Sequence, residues 1–212
     1  MYNKSMIIFF GPAGSGKSTQ GRTIADKYGW RWLSVGQVLR DTGRFDEILK
    51  SGELVDDKTV VELMNKEIEF AEAEGMEVVL DGYPRDTKQT EIMLEEKNQQ
   101  FFNNLKAAIV LDVPKEELWK RIEDRGREDD TKEVVERRFD IFEQNINSIL
   151  PLLEKKGVKV IHVDGVGSFE EVTDRIVKII QEIEPDSPEV WDDEVMDSIE
   201  NDALEREKSY GE

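Results

Sequence analysis

Met6-Ile7-Ile8-Phe9-Phe10-Gly11-Pro12-Ala13-Gly14-Ser15-Gly16-Lys17-Ser18-Thr19 joins a short apolar run to a glycine-rich turn and then to a helical pattern. The unbroken apolar run from Met6 to Phe10 suits a strand covered on both faces, as in a parallel sheet. The turn fits G-x-x-x-x-G-K-[ST] at Gly11, Gly16, Lys17 and Ser18. Its glycines let the backbone curl so that successive N–H groups point inward as an anion nest. A helix beginning near Lys17 adds the positive end of its dipole. Gly11, Ala13, Gly14, Ser15, Gly16, Lys17, Ser18 and Thr19 are therefore predicted to bind the phosphates of a nucleotide, with Lys17 on the outer ones and Ser18 offering an oxygen to Mg²⁺. A glycine turn without a ligand is the weaker reading once strand, loop and helix stand in this order. The loop alone specifies nucleotide binding and no reaction.

Outward from this stretch, apolar runs alternate with longer helical patterns. Further strands are expected at Val78–Leu80, Ala107–Leu111 and Val158–Val163, with a weaker one at Trp30–Leu33. Helices are expected over roughly 17–28, 59–73, 115–124, 131–150 and 169–184. The alternation predicts an α/β fold with a doubly wound parallel sheet of five strands, whose ligands bind beyond the carboxyl ends of the strands. Pro114 suits a helix start, and Pro151 is expected to break or kink the helix that precedes it. Asp130 and Glu133 read as a capping box. His162 is expected to be packed or hydrogen-bonded, Trp30 and Trp32 to be core or edge packing, and Ile141, Phe142, Ile146 and Ile149 to form a core stripe.

Composition limits the function. The 212 residues contain no cysteine and one histidine, which excludes thiol catalysis and Cys-based zinc sites and leaves little room for His-based ones. Lys+Arg 29 against Asp+Glu 48 gives a net charge of −19, which argues against nucleic-acid or anionic-membrane partners. The excess is uneven: Gln181–Glu212 holds 13 acidic and two basic residues, a net of −11. The first apolar run is too short for a signal-peptide core or a membrane span, so a cytoplasmic location is expected. Trp191, Val195, Ile199 and Ala203 recur every four residues, which predicts an acidic amphipathic helix after the main domain.

A second set of residues surrounds the expected cleft. Leu80-Asp81-Gly82-Tyr83-Pro84-Arg85 ends a strand, placing Asp81 where it can hold the water shell of Mg²⁺. Tyr83-Pro84 suits a cis bond in the turn, with Arg85 projecting into the cleft. Arg121 and Arg125 share one helix face, while Arg127 precedes the next helix and Arg138 lies turns along it, so both can face one cavity. Arginine forks bind phosphate oxygens in pairs and stay charged. Solvated Glu–Arg pairs suffice to explain Arg121 and Arg137, whereas Arg127 and Arg138 favour a functional role.

Together these pieces resemble the nucleoside monophosphate kinase family, most closely its short-lid adenylate kinases, over about residues 5–183. Gly11–Gln20 resembles the family's nucleotide loop, Leu33–Arg40 its "STGDLLR" segment and Gly52–Asp57 its "GxLVPD" segment. Leu80–Arg85 resembles "LDGFPR", and Gly126–Asp130 resembles "GRxDD" with Arg138 eleven residues on. The resemblance implies a P-loop three-layer sandwich over residues 1–184, with a helical acceptor-binding segment at 34–64, a short lid at 125–131 and an acidic extension at 185–212. It implies transfer of the ATP γ-phosphoryl to a nucleoside monophosphate, AMP first, with Mg²⁺ and in a monomer. The implied catalytic residues are Lys17, Arg85, Arg125, Arg127 and Arg138. Arg121 joins the ATP site, and Ser18 and Asp81 serve the metal. Ser34, Val35, Gly36, Arg40, Leu54, Val55, Gly82, Arg85 and Gln89 form the acceptor site, with Gln89 reading the base.

The chain departs from the family pattern at Ser18, Val35, Gln37, Val38 and Asp56. Val35 removes a hydroxyl from the neighbourhood of the acceptor base. A UMP, CMP or other nucleoside monophosphate kinase, or a catalytically weak nucleotide-binding regulatory protein, therefore stays open from the sequence.

Overall fold

The computed structural model describes residues 5–51, 53–95, 104–126 and 130–185. The chain runs β1 (Met6–Phe10), α1 (Lys17–Tyr28), β2 (Arg31–Ser34), α2 (Val35–Asp41), α3 (Asp46–Ser51) and α4 (Asp57–Ala73). It continues with β3 (Val78–Asp81), α5 (Thr87–Met93), β4 (Leu105–Asp112), α6 (Lys115–Arg125), α7 (Lys132–Lys155), β5 (Lys159–Asp164) and α8 (Phe169–Ile183). The strands form one five-stranded sheet in the order β2-β3-β1-β4-β5, with every pairing parallel. This is the α/β architecture expected, and the weak strand at Trp30–Leu33 is its edge strand β2.

Alternation along β1 explains the layers. Met6, Ile8 and Phe10 pack with Leu39 of α2, Val60 and Met64 of α4, Met93 of α5 and Ile149 and Leu153 of α7. Ile7 and Phe9 face the opposite side, against Ile24 of α1 and Val172, Ile176 and Ile180 of α8. The central strand is thus buried on both faces, which is why its sequence is continuously apolar. The register then aligns the chemistry: Phe9 and Ser34 are both paired with Asp81, so the carboxyl ends of β1, β2 and β3 lie side by side.

Helix ends follow local chemistry. Asp56 accepts from the Thr59 N–H at 3.0 Å and caps α4, and Ser168 with Glu171 forms a reciprocal capping box on α8. At α7 the expected Asp130–Glu133 box is replaced by Thr131, whose hydroxyl accepts from Val134 N–H. Asp130 is engaged elsewhere.

Pro151 does not end α7, which continues to Lys155. An interior proline costs about 3 kcal/mol. Ile149 and Leu153, on either side of it, are buried against the sheet, and each contributes about 2 kcal/mol by burial. Phe142 and Ile146 pack on the same cluster, which leaves Ile141 outside the expected stripe.

Trp30 is buried, with its ring centroid 5.5 Å from that of Tyr28, and the half-buried Trp32 lies beneath the Arg22 guanidinium at 4.8 Å. His162 is exposed, and its Nδ1 lies 2.9 Å from Asp112 Oδ2. Among the described residues, no helix is long and apolar enough to cross a membrane. The acidic helix expected around Trp191–Ala203 lies outside the described residues.

Candidate active site

The glycine-rich loop leaves β1 and closes on itself through Ser15 N–H donating to Pro12 O at 3.2 Å. Gly16 caps α1 in the left-handed region at φ 87°, and a side chain at Gly14 would meet Leu118 O at 2.9 Å. The loop is therefore packed tightly on α6 and can take only glycine at these turns. Lys17, Ser18 and Thr19 form the first turn of α1, so its leading N–H groups face the loop's concavity. A cavity of about 760 Å³ opens beside Pro12, lined also by Val113, Lys115, Phe139, Glu143 and Val166. That size suits a small-molecule ligand.

Opposite the loop, Asp81 at the end of β3 is 1 % exposed, and neither carboxylate oxygen has a hydrogen-bond partner. An ionised, buried and unbonded carboxylate is costly. A hydrated divalent cation would satisfy both oxygens at once, so the residue fits the metal role expected of it. Ser15 Oγ in the loop is likewise buried and unbonded.

Three arginines meet near this carboxylate. A Cβ on Gly36 would lie 3.4 Å from Arg40 Nη1 and 3.7 Å from Arg85 Nη2, so the two guanidinium groups close over that glycine. Arg85 Nε donates to Gly82 O at 2.9 Å, which fixes the fork after the cis Tyr83-Pro84 bond. Burial pulls Arg85 down to about 10; Asp81 opposes this, and the charges of Arg138 and Arg40 reinforce it. Like charges gathered here, on the half-buried Arg85 and Arg138 and the exposed Arg40, make a site for an anion such as phosphate. The neighbouring Tyr83 hydroxyl is buried without a partner, and burial pushes it up.

Asp130 holds two of the arginines. Its Oδ2 accepts from Arg125 Nε and Nη2 at 2.9 and 2.6 Å, and its Oδ1 from Arg138 Nη1 at 3.0 Å. Arg138 Nη2 also donates to Leu49 O at 3.2 Å. The adjacent Arg137 donates to Ser51 O at 3.0 Å and pairs with Glu53 at 3.3 Å. Two arginines of α7 thus hold the last carbonyls of α3, where cations are favourable. Arg121 bonds Glu117 at 2.9 Å and Gly165 O at 3.0 Å, next to the 760 Å³ cavity.

Of the residues expected to bind the acceptor, Ser34 and Val35 are buried at the start of α2, Val55 is buried in the core, and Leu54 is half-buried. Gln89 is fully buried, with both ends of its amide bonded. Arg127 lies outside the described residues. Sequence reasoning missed Asp130 as an arginine holder, Arg137 as a bridge and Asp57 as a partner of Gln89. Only Asp130 carried a signal, its place between Arg125 and Arg138.

Comparison with known proteins supplies the family. The profile described as Adenylate kinase matches residues 9–158, well over half of the chain. The chain belongs to the adenylate kinase family. Among its relatives, an adenylate kinase of Thermus thermophilus is 35% identical over 182 residues, covering 80% of this chain and 94% of its own length. The adenylate kinase of Micrococcus luteus is 34% identical over 192 residues, covering 84% and 91% respectively. That of a Synechococcus species is 32% identical over 185 residues, covering 84% and 99%. The matched adenylate kinase region contains the glycine-rich loop, Asp81, Arg85, Asp130 and Arg138.

Proposed function

We propose that this enzyme transfers the γ-phosphoryl group of ATP to AMP, giving two ADP, as a cytoplasmic monomer. The observation that carries this reading is the convergence of Arg40, Arg85 and Arg138 beside the unbonded carboxylate of Asp81. Pure nucleotide binding does not require such a cation cluster, whereas a transferring phosphoryl group does.

In this mechanism the loop's N–H groups and Lys17 hold the donor phosphates, and Arg121 orients the donor nucleotide. Arg40 and Arg85 clamp the acceptor phosphate. Arg125, Arg127 and Arg138 surround the transferring group, whose charge spreads over its oxygens in the transition state. Ser18 and Asp81 would hold Mg²⁺, which supplies charge neutralisation to the ATP phosphates when bound. No protein nucleophile is used: the acceptor phosphate oxygen attacks the γ-phosphorus, and ADP leaves from the opposite side. The acceptor segment and short lid keep water from competing.

Base selection by Gln89 supports AMP as acceptor, since an amide can pair with adenine through two hydrogen bonds. The direct test is ADP formation from ATP plus AMP by purified protein, with ATP alone as the control. Turnover with AMP supports the reading. ATP binding without AMP-dependent turnover would instead support a regulatory nucleotide-binding protein.

A further inference from the structure

Gln89 has its side-chain amide held at both ends. Oε1 accepts from the Arg85 backbone N–H at 2.9 Å, and Nε2 donates to Asp57 Oδ1 at 3.1 Å. Its main-chain N–H donates to Asp86 Oδ1 at 2.8 Å. The second oxygen of Asp57 pairs with Lys88 at 3.1 Å. Burial raises Asp57, but the Asp86 carboxyl, which can donate to it while protonated, and the Gln89 amide and Lys88 ammonium outweigh this and hold its carboxyl below the usual value. It therefore acts as an acceptor at neutral pH.

An amide turned by half a rotation keeps its shape but exchanges its acceptor for its donor. A free amide can match either of two base edges. One is the amidine edge, an amino group beside an unprotonated ring nitrogen, found in adenine and cytosine. The other is the lactam edge, a carbonyl beside a ring N–H, found in hypoxanthine, guanine and uracil. In Gln89 the half-rotation is blocked. It would aim the NH₂ at the Arg85 N–H and the carbonyl at the Asp57 carboxylate, breaking the bonds at both ends.

We propose that Asp57, by fixing the orientation of the Gln89 amide, makes this site select nucleoside monophosphates with an amidine edge, adenine first and cytosine next, over lactam bases of the same size. The proposal rests on the reading that Gln89 faces the acceptor base. In the locked orientation Gln89 keeps a lone pair on Oε1 for the amino N–H of adenine and an N–H on Nε2 for a ring nitrogen. Val35 brings no hydroxyl to this pocket, so polar discrimination falls to Gln89. Because Gln89 is fully buried, a base of the wrong pattern leaves polar groups unpaired away from water, and such mismatches are strongly rejected.

AMP and IMP give the sharpest test, because their bases differ chiefly at this edge. The full-length enzyme is assayed for kcat/KM with each acceptor as wild type, Asp57→Asn, Asp57→Ser and Gln89→Leu. Asparagine and serine can donate as well as accept, so either removes the Asp57 half of the lock and leaves the bond from the Arg85 N–H, and the serine variant serves if the asparagine variant does not fold. The expected wild-type preference for AMP is about 100-fold or more. Asp57→Asn and Asp57→Ser reduce it about tenfold, the size of one hydrogen bond to a charged group. Gln89→Leu brings the preference close to unity. General damage from losing the Lys88 pair lowers both acceptors together and leaves their ratio unchanged. An unchanged ratio at position 57, with collapse in Gln89→Leu, overturns the part given to Asp57 and leaves Gln89 as the base reader, held by the Arg85 N–H alone. An unchanged ratio in Gln89→Leu shows that Gln89 does not read the base, and the proposal falls with that reading.

Discussion

Asp130 holds Arg138 at 3.0 Å through Oδ1, while its other oxygen holds Arg125. The Asp130 side chain is only 3 % exposed, so without substrate it neutralises two cations that the proposed mechanism turns toward phosphate. Its two oxygens set the spacing of the arginine forks before any nucleotide arrives, which is preorganisation in the electrostatic sense.

Asp130→Asn should therefore disturb both arginines. We expect kcat to fall at least about tenfold and stability to fall by about 2 kcal/mol, the cost of leaving charged donors poorly paired. Steady-state kinetics and urea unfolding measure the two effects. Unchanged kcat would mean that the arginines are positioned without it.

Arg85 makes a different prediction, because its charge is unfavourable in the free protein. Its folded value of about 10 lies below that of a free guanidinium, so the charged form is disfavoured by folding. That cost is fully present wherever Arg85 is charged in both states and is relieved only as pH rises above about 10. Arg85 should thus contribute no slope to stability between about pH 6 and 9. Arg85→Gln should melt about 3 °C higher than wild type. Its turnover should nevertheless fall about 10²- to 10³-fold, with ATP affinity by calorimetry nearly unchanged. A lower melting temperature would show that the bond from Arg85 to Gly82 O outweighs the buried charge.

Arg137 touches neither proposed substrate position, but it joins α7 to Ser51 O and Glu53. Arg137→Ala should raise KM for AMP about threefold to tenfold while leaving KM for ATP alone, since an exposed pair contributes little and the charged bond to a carbonyl contributes more. Equal effects on both substrates would contradict a role in holding the acceptor segment.

The extension after Glu184 lies beyond the residues matched by the family profile. Truncation there should leave kcat within about twofold. A loss of turnover without unfolding would assign the extension a part in the reaction.

How far the sequence can be read depends on whether the signal is local. The loop from Gly11 to Ser18 is contiguous, so its strand, turn and helix are all legible, and α1 begins at Lys17 as expected. Pro151 misleads because a proline's local penalty says nothing of the sheet contacts of Ile149 and Leu153, which only tertiary structure supplies. Asp130 reads as a helix cap because its neighbours fit that pattern, yet Thr131 takes the cap and Asp130 the arginines. The bond from Arg137 to Ser51 spans 86 residues and leaves no periodic trace in the chain. Asp57 is invisible for the same reason, lying 32 residues from Gln89.

The central claim is that the cleft phosphorylates AMP. A coupled ADP-release assay with ATP and AMP, CMP, UMP, GMP or dAMP tests it most directly. The account predicts the highest kcat/KM with AMP, by about 100-fold over UMP and GMP, whose bases present the lactam edge. Indifference to AMP, or turnover with UMP equal to that with AMP, would contradict it.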